Sequence, residues 1–184
     1  MRLRFFSFFL IVILSISIVG CKEIENQSEL QTNDSVVQED DKNIGTSTIQ
    51  GTQLDPREGM RTRLSHFTLD LDGDGVDENI ELYTAAERHE DGSIIWDDGQ
   101  NWLLHIVDEN TYYPLFQQYV QIGEVYYSVW FEDDEMPIIS VLVKTGAGMK
   151  LVNYTYVNAE KGYKSEPIYD TGGINLMFSS FPAY

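Results

Sequence analysis

Residues 70–81, with the sequence DLDGDGVDENIE, have the types and spacing needed to bind a metal ion. Oxygen donors stand at the first, third and fifth positions, a glycine at the sixth and a glutamate at the twelfth, as in a calcium-binding loop. Alternate carboxylates in a tight loop converge on one point, and Gly75 allows the sharp turn. Donors that are all hard oxygens favour Ca²⁺, whereas Mg²⁺ is disfavoured because it keeps its waters. The loop therefore predicts a calcium site.

The residues that flank the loop alternate as strands, which argues against a helix-loop-helix site. Asp77 also occupies the position where such a site has an apolar residue. On a strand, Glu81 shares a face with Asn79 while Ile80 points inward, so we predict Glu78 as the last side-chain ligand and keep Glu81 as the alternative. The predicted ligands are three aspartates, one backbone carbonyl and one glutamate: Asp70, Asp72, Asp74, Val76 and Glu78.

With strands on both sides, residues 67–82 resemble the calcium-binding loop of the FG-GAP or VCBS repeats found in integrin-α-type β-propellers. The resemblance implies the same ligand set, with the Val76 carbonyl among the aspartates and Glu78. The chain contains one such loop and is too short for a closed propeller of four or more four-stranded blades. The resemblance therefore implies blade-like elements within a smaller sheet protein.

The elements that must position this loop are β-strands, because period-two alternation and β-branched or aromatic runs dominate from residue 61 onward. We predict an all-β domain of about seven or eight strands, joined as antiparallel hairpins in a twisted sheet or open sandwich, with a helical turn near Leu176. The predicted strands cover residues 67–71, 80–82, 102–107, 112–116, 119–131 with a break near Gly123, 138–144, 149–157 and 163–169.

Residues 1–20 resemble a bacterial lipoprotein signal peptide. Arg2 and Arg4 precede an apolar run that is short for a membrane-spanning helix, and Gly20-Cys21 ends a lipobox-like sequence, IVGC. The resemblance implies that Cys21 carries lipid and anchors the protein to the bacterial cell membrane on its extracytoplasmic side. An aspartate does not follow the cysteine, which favours the outer membrane if the cell has two.

Between the signal and the domain, residues 21–60 contain no aromatic residue and are rich in acidic and amide side chains. Such a segment buries too little apolar surface to offset its ordering entropy, so we predict an acidic disordered tether. Residues 61–184 contain all 11 Tyr and all 3 Trp of the chain and form the predicted calcium-binding domain.

The charge balance limits the partners of the chain, which has 30 acidic and 12 basic residues and a net charge of −18. Nucleic acid is excluded because its phosphates repel such a polyanion. Trp96 and Trp102 flank an acidic turn and are candidates for ligand binding, although packing in the core is the other interpretation.

A purely structural component of the cell envelope remains open at this stage, as do two further functions. One is a binding module for a cell-envelope protein or glycan. The other is a cell-wall or glycan hydrolase that uses carboxylates outside the loop, at Asp97, Asp98 or residues 132–135.

Overall fold

The computed structural model describes residues 45–133, 136–174, 178 and 180. Within these residues the chain forms nine strands and no helix. The strands are β1 (Ser47–Gln50), β2 (Thr62–Leu69), β3 (Glu78–Thr84), β4 (Gly99–Asp108), β5 (Thr111–Gln121), β6 (Gly123–Trp130), β7 (Ile138–Thr145), β8 (Gly148–Val157) and β9 (Gly162–Asp170).

These strands form two antiparallel sheets. Sheet A has the order β1-β9-β8-β7-β6, and sheet B has the order β2-β3-β4-β5. Each sheet is built on a meander of sequential hairpins, β2 to β5 and β6 to β9, so most paired strands are neighbours in sequence. The predicted all-β class and the antiparallel hairpins of an open sandwich are therefore confirmed, with one strand more than the upper predicted number of eight.

The additional strand is β1, which lies within the segment predicted as a tether. It pairs antiparallel with β9, from Ser47 opposite Ser165 to Gln50 opposite Gly162. Ser47 donates its backbone N–H to Ser165 Oγ at 3.0 Å, and Ile49 packs against the core. Backbone hydrogen bonds do not depend on side-chain type, so a polar segment without aromatics is held in the sheet. The folded part therefore begins before the boundary predicted at residues 60 and 61.

The core lies between the two sheets, where the inward-facing side of each strand is apolar. Alternation along β3 buries Ile80 and Leu82, which are both inaccessible to solvent. The same period-two pattern on the neighbouring strands supplies the rest of this cluster, including Leu104, Ile106, Val125, Ile139 and Val141.

A single residue, Ile122, connects β5 of sheet B to β6 of sheet A. Its N–H donates to the Asp98 carbonyl at 2.6 Å, and its carbonyl accepts from the Gly146 N–H at 3.2 Å. Gly123 follows because a Cβ at that position would collide with the backbone oxygen of Lys144. The segment predicted as a strand over residues 119–131 is thus interrupted between β5 and β6, at the break predicted near Gly123.

No helix in the described ranges is long and apolar enough to cross a membrane. Several sequence predictions lie outside the described residues. They are the signal peptide, Cys21, the tether as far as residue 44, Asp134 and Glu135 of the acidic turn, and the helical turn near Leu176.

Candidate metal centre

The acidic loop connects β2 to β3, so its two ends are fixed by one antiparallel strand pair. Leu69 is paired with Glu78 at the end of this ladder. Gly73 and Gly75 have φ values of 80° and 89°, which residues with a Cβ adopt only with strain. Asp70, Asp72 and Glu78 each offer a carboxylate oxygen, and these three oxygens lie within 4.8 Å of one another. The predicted convergence is therefore present for three of the four predicted side-chain ligands.

Hydrogen bonds to the backbone hold the first aspartate of the loop. Asp70 accepts from Gly73 N–H at 2.8 Å through Oδ1 and from Gly75 N–H at 3.0 Å through Oδ2. Asp72 Oδ1 accepts from the Asp74 N–H at 3.1 Å. These bonds turn the chain around the aspartate side chains, so the loop geometry follows from local sequence.

The fourth predicted side-chain ligand is placed differently. Asp74 lies outside the group of converging oxygens, and its Oδ1 accepts from the Val76 N–H at 2.7 Å. The Val76 side chain is exposed to solvent. The Asp74 carboxylate and the Val76 carbonyl as ligands stay predictions.

Glu78 is the innermost carboxylate of the centre, with 2% of its surface exposed. Its Oε2 accepts from the Leu71 N–H at 2.6 Å. The pKa of Glu78 is raised from 4.5 to about 7, mainly by burial. The charges of Asp72, Asp108 and Asp70 act in the same direction, and the hydrogen bond from the Leu71 N–H opposes them. A buried carboxylate surrounded by other carboxylates is costly to ionise unless a cation is present. The donor set therefore fits a hard cation such as Ca²⁺.

Asp108, at the end of β4, is an acid of this region that the sequence analysis missed. Asn79 of β3 pairs with Val107, so Asp108 lies beside the start of β3. Burial raises its pKa, and the charges of Asp72, Glu109 and Asp74 act in the same direction. In the sequence Asp108 belongs to an ordinary turn. It could not be predicted from local spacing, because the register between β3 and β4 is what brings it to the loop.

Glu81, the alternative closing ligand, belongs to a different polar cluster. It is three residues beyond Glu78 on β3 and therefore faces the opposite side of the sheet. Its carboxylate contacts Arg63 at 2.9 Å and accepts from the Tyr83 hydroxyl at 3.1 Å. His105 Nε2 lies 3.2 Å from Glu81 Oε2, and the His105 side chain is inaccessible to solvent. Glu81 is thus held by cationic and hydrogen-bonding partners, away from the loop.

The two tryptophans proposed as a ligand platform have unequal environments. Trp102 is inaccessible to solvent and belongs to the core, whereas Trp96 is 40% exposed. Their rings stack with centroids 5.6 Å apart and planes inclined by 16°. Trp102 therefore offers no surface to a ligand, and its packing agrees with the second interpretation in the sequence analysis.

The acids considered for hydrolysis that the structure describes lie on the surface. Asp97, Asp98, Glu132 and Asp133 are exposed, and Asp97 Oδ1 accepts from the Asp98 N–H at 2.8 Å. Among the described residues, the carboxyl groups with raised pKa values are Glu78 and Asp108, and both belong to the region of the loop. A hydrolase needs a carboxyl group with a raised pKa beside the cleft that holds its substrate.

Comparison with known proteins gave no match: no family model, no curated sequence and no solved structure matches this chain.

Proposed function

We propose that this chain is a membrane-anchored extracytoplasmic lipoprotein whose β domain holds one structural calcium ion and acts as a binding module. The observation that carries the calcium assignment is that oxygens of Asp70 and Asp72 converge with an oxygen of the buried carboxylate of Glu78. A divalent cation would neutralise charges that otherwise repel one another at the end of sheet B.

The position of the loop supports a structural ion over a regulatory one. Leu71, within the loop, is 1% exposed and belongs to the core, and Glu78 is the first residue of β3. An ion that joins Asp70 to Glu78 would therefore fasten a loop to the strand pair that it connects. Its removal should loosen this end of the sandwich without moving one part of the domain against another.

Thermal unfolding of the purified full-length chain in EDTA and in about 10 mM CaCl₂ tests the ion. For a dissociation constant of about 10⁻⁴–10⁻³ M, typical of extracellular calcium modules, this concentration stabilises the folded state by about 1.4–2.7 kcal/mol. Asp72→Ala should abolish the calcium-dependent shift. Asp77→Ala changes an exposed acid of the same loop and should retain it. Coincident melting curves with and without calcium would exclude the structural ion.

The anchor is supported by the lipobox-like sequence and needs a separate test. Cys21→Ser should move the protein from the membrane fraction to the soluble fraction of cells that express it. Mass spectrometry of the unaltered protein should find a lipid-modified cysteine at the mature N-terminus. Retention of the serine variant in the membrane, without lipid on the unaltered protein, would contradict the anchor.

Binding is the function that best fits the described surface. Exposed large apolar side chains include Tyr119 and Ile122, which are close in sequence at the junction of the two sheets. Exposed apolar groups that lie together often mark interaction sites. The sequence and the site residues offer no comparable support for the hydrolase alternative.

A further inference from the structure

A cleft of about 500 Å³ opens where β5 passes into β6 and where β7 turns into β8. Its volume is within the range of small-ligand sites, about 300–1,000 Å³. The lining contains two amides, a phenol, a hydroxyl and aliphatic groups, but no charged side chain. In a chain with a net charge of −18, a concave surface free of carboxylates is a distinct chemical environment.

Tyr119 presents an aromatic surface at this cleft and is 61% exposed. The hydroxyl end of its ring lies over Gly99 of β4, where any Cβ would collide with it. The two residues are close across the β4–β5 ladder, in which Asn101 pairs with Tyr119 and Gly99 with Gln121. The absence of a side chain at Gly99 therefore fixes the ring against the sheet and leaves the rest of it open to solvent.

Ile122 also lines the cleft, and the presence of an isoleucine at this position is not explained by a gain in stability. Its φ of 46° lies in the left-handed region, which is costly for a β-branched residue and easily reached by glycine or asparagine. The residue is 67% exposed, so its side chain gains little from packing. Strained residues of this kind cluster at binding and active sites. A contact with a ligand would account for an isoleucine here.

We propose that this cleft binds one or two uncharged sugar units of a glycan. Gln121, which shares one face of β5 with Tyr119, offers its amide to sugar hydroxyls, and the Tyr119 ring offers its electron-rich face to sugar C–H groups. An anionic ligand would be repelled by the surrounding charge, and a cationic ligand finds no carboxylate in the lining. The assignment rests on the proposed binding function and names its ligand class, whereas the calcium ion is independent of it.

Saturation-transfer NMR on the full-length protein tests this proposal. The protein is kept in calcium buffer and in a detergent without sugar head groups, since such groups would compete for the cleft. The probes are soluble oligosaccharides of glucose, galactose, mannose and N-acetylglucosamine at millimolar concentration. We expect at least one probe to bind and to receive saturation at its ring C–H protons.

Variants then locate the site. Tyr119→Ala should weaken binding by about three- to tenfold, whereas Tyr119→Phe retains the ring and should stay close to the unaltered protein. Tyr169→Ala removes a tyrosine that is 50% exposed on β9, outside the cleft, and should leave binding unchanged. Circular dichroism confirms that each variant is folded.

Two results would overturn the sugar assignment. Equal loss of binding in the Tyr119 and Tyr169 alanine variants would show that the cleft is not the site. An immobilised library of uncharged peptides that binds the protein, and loses it through Tyr119→Ala, would assign the cleft to a peptide and leave the binding function intact. Failure of both the sugars and the peptides to bind would overturn the proposal together with the binding function.

Discussion

Replacing Glu78 by glutamine should have opposite effects on stability in the presence and absence of calcium. In the metal-free protein the pKa of Glu78 is raised from 4.5 to about 7, mainly by burial. Each pKa unit corresponds to about 1.36 kcal/mol, so ionising this side chain costs the folded state about 3 kcal/mol. This figure is an upper limit, because residues 73–77 of the loop beside Glu78 are exposed and the nearby solvent screens its charge.

The sign follows from which state binds the proton more tightly. The folded carboxyl keeps its proton to a higher pH than the unfolded one, so the stability due to the protonated form is complete below about pH 4.5. It is lost as the pH rises through about 7. Glutamine does not titrate and can still accept from the Leu71 N–H. In EDTA at pH 8, Glu78→Gln should therefore be more stable than the unaltered protein, by up to about 3 kcal/mol.

Calcium should reverse this order. Attraction to a bound calcium ion offsets the free energy of ionising Glu78, whereas glutamine supplies a neutral and weaker ligand. In millimolar CaCl₂ at pH 8, the glutamine variant should therefore lose about 1–3 kcal/mol relative to the unaltered protein. Asp77→Asn removes the same charge from an exposed position of the loop and should have a small effect of one sign in both buffers.

Urea unfolding followed by tryptophan fluorescence at several pH values between 5 and 8 measures these differences. The difference between the two proteins isolates Glu78, because His105 titrates in both. Burial lowers the pKa of His105, so its contribution to stability rises with pH as the unfolded histidine loses its proton near 6.5. Parallel pH profiles of the two proteins in EDTA, or equal destabilisation of the variant in both buffers, would contradict a buried Glu78 whose charge is neutralised by calcium.

Three further substitutions test the loop, the sheet junction and the cluster around Glu81. Gly75→Ala should cost about 1–2 kcal/mol because φ is 89°, whereas Gly146→Ala, which has open space and no positive φ, serves as its control; equal urea midpoints would contradict the strain. Ile122→Asn should raise stability by about 1 kcal/mol through relief of a φ of 46°, and a lower melting temperature would show that its side chain stabilises the fold. Glu81→Gln should cost about 2 kcal/mol at pH 7. Desolvation raises the pKa of Glu81, but the hydrogen bonds from Arg63 and Tyr83, together with nearby positive charge, lower it overall. The stabilisation is therefore present above about pH 4.5 and lost on acidification, and an unchanged acid-unfolding curve would argue against the pair with Arg63.

The sequence predicts the strands well where side-chain alternation is strong and poorly where the backbone alone holds a strand. The buried Ile80 and Leu82 alternate with polar neighbours, so β3 is readable from its pattern. In β1, only Ile49 packs against the core among four residues, and the pairing with β9 depends on backbone hydrogen bonds. A pattern-based method has little to detect in such a strand.

The candidate metal centre is predictable to the extent that its donors are local. Asp70, Asp72 and Glu78 are fixed by spacing within one loop, and the period of a strand already favours Glu78 over Glu81. Asp108 reaches the centre only through the register of a neighbouring strand. In the same way, sequence alone could not distinguish the buried Trp102 from the partly exposed Trp96, since the two differ by their place in the tertiary structure.

The pairing of β1 with β9 also has a consequence for how the protein folds. The two meanders consist of local hairpins, whereas Ser47 and Ser165 are 118 residues apart in sequence. Contacts of such separation carry the largest loop-closure entropy and form late. A chain that is synthesised from its N-terminus must deliver β9 before β1 has a partner. Until β1 pairs with it, β9 presents an unpaired edge that is open to association with another chain during folding.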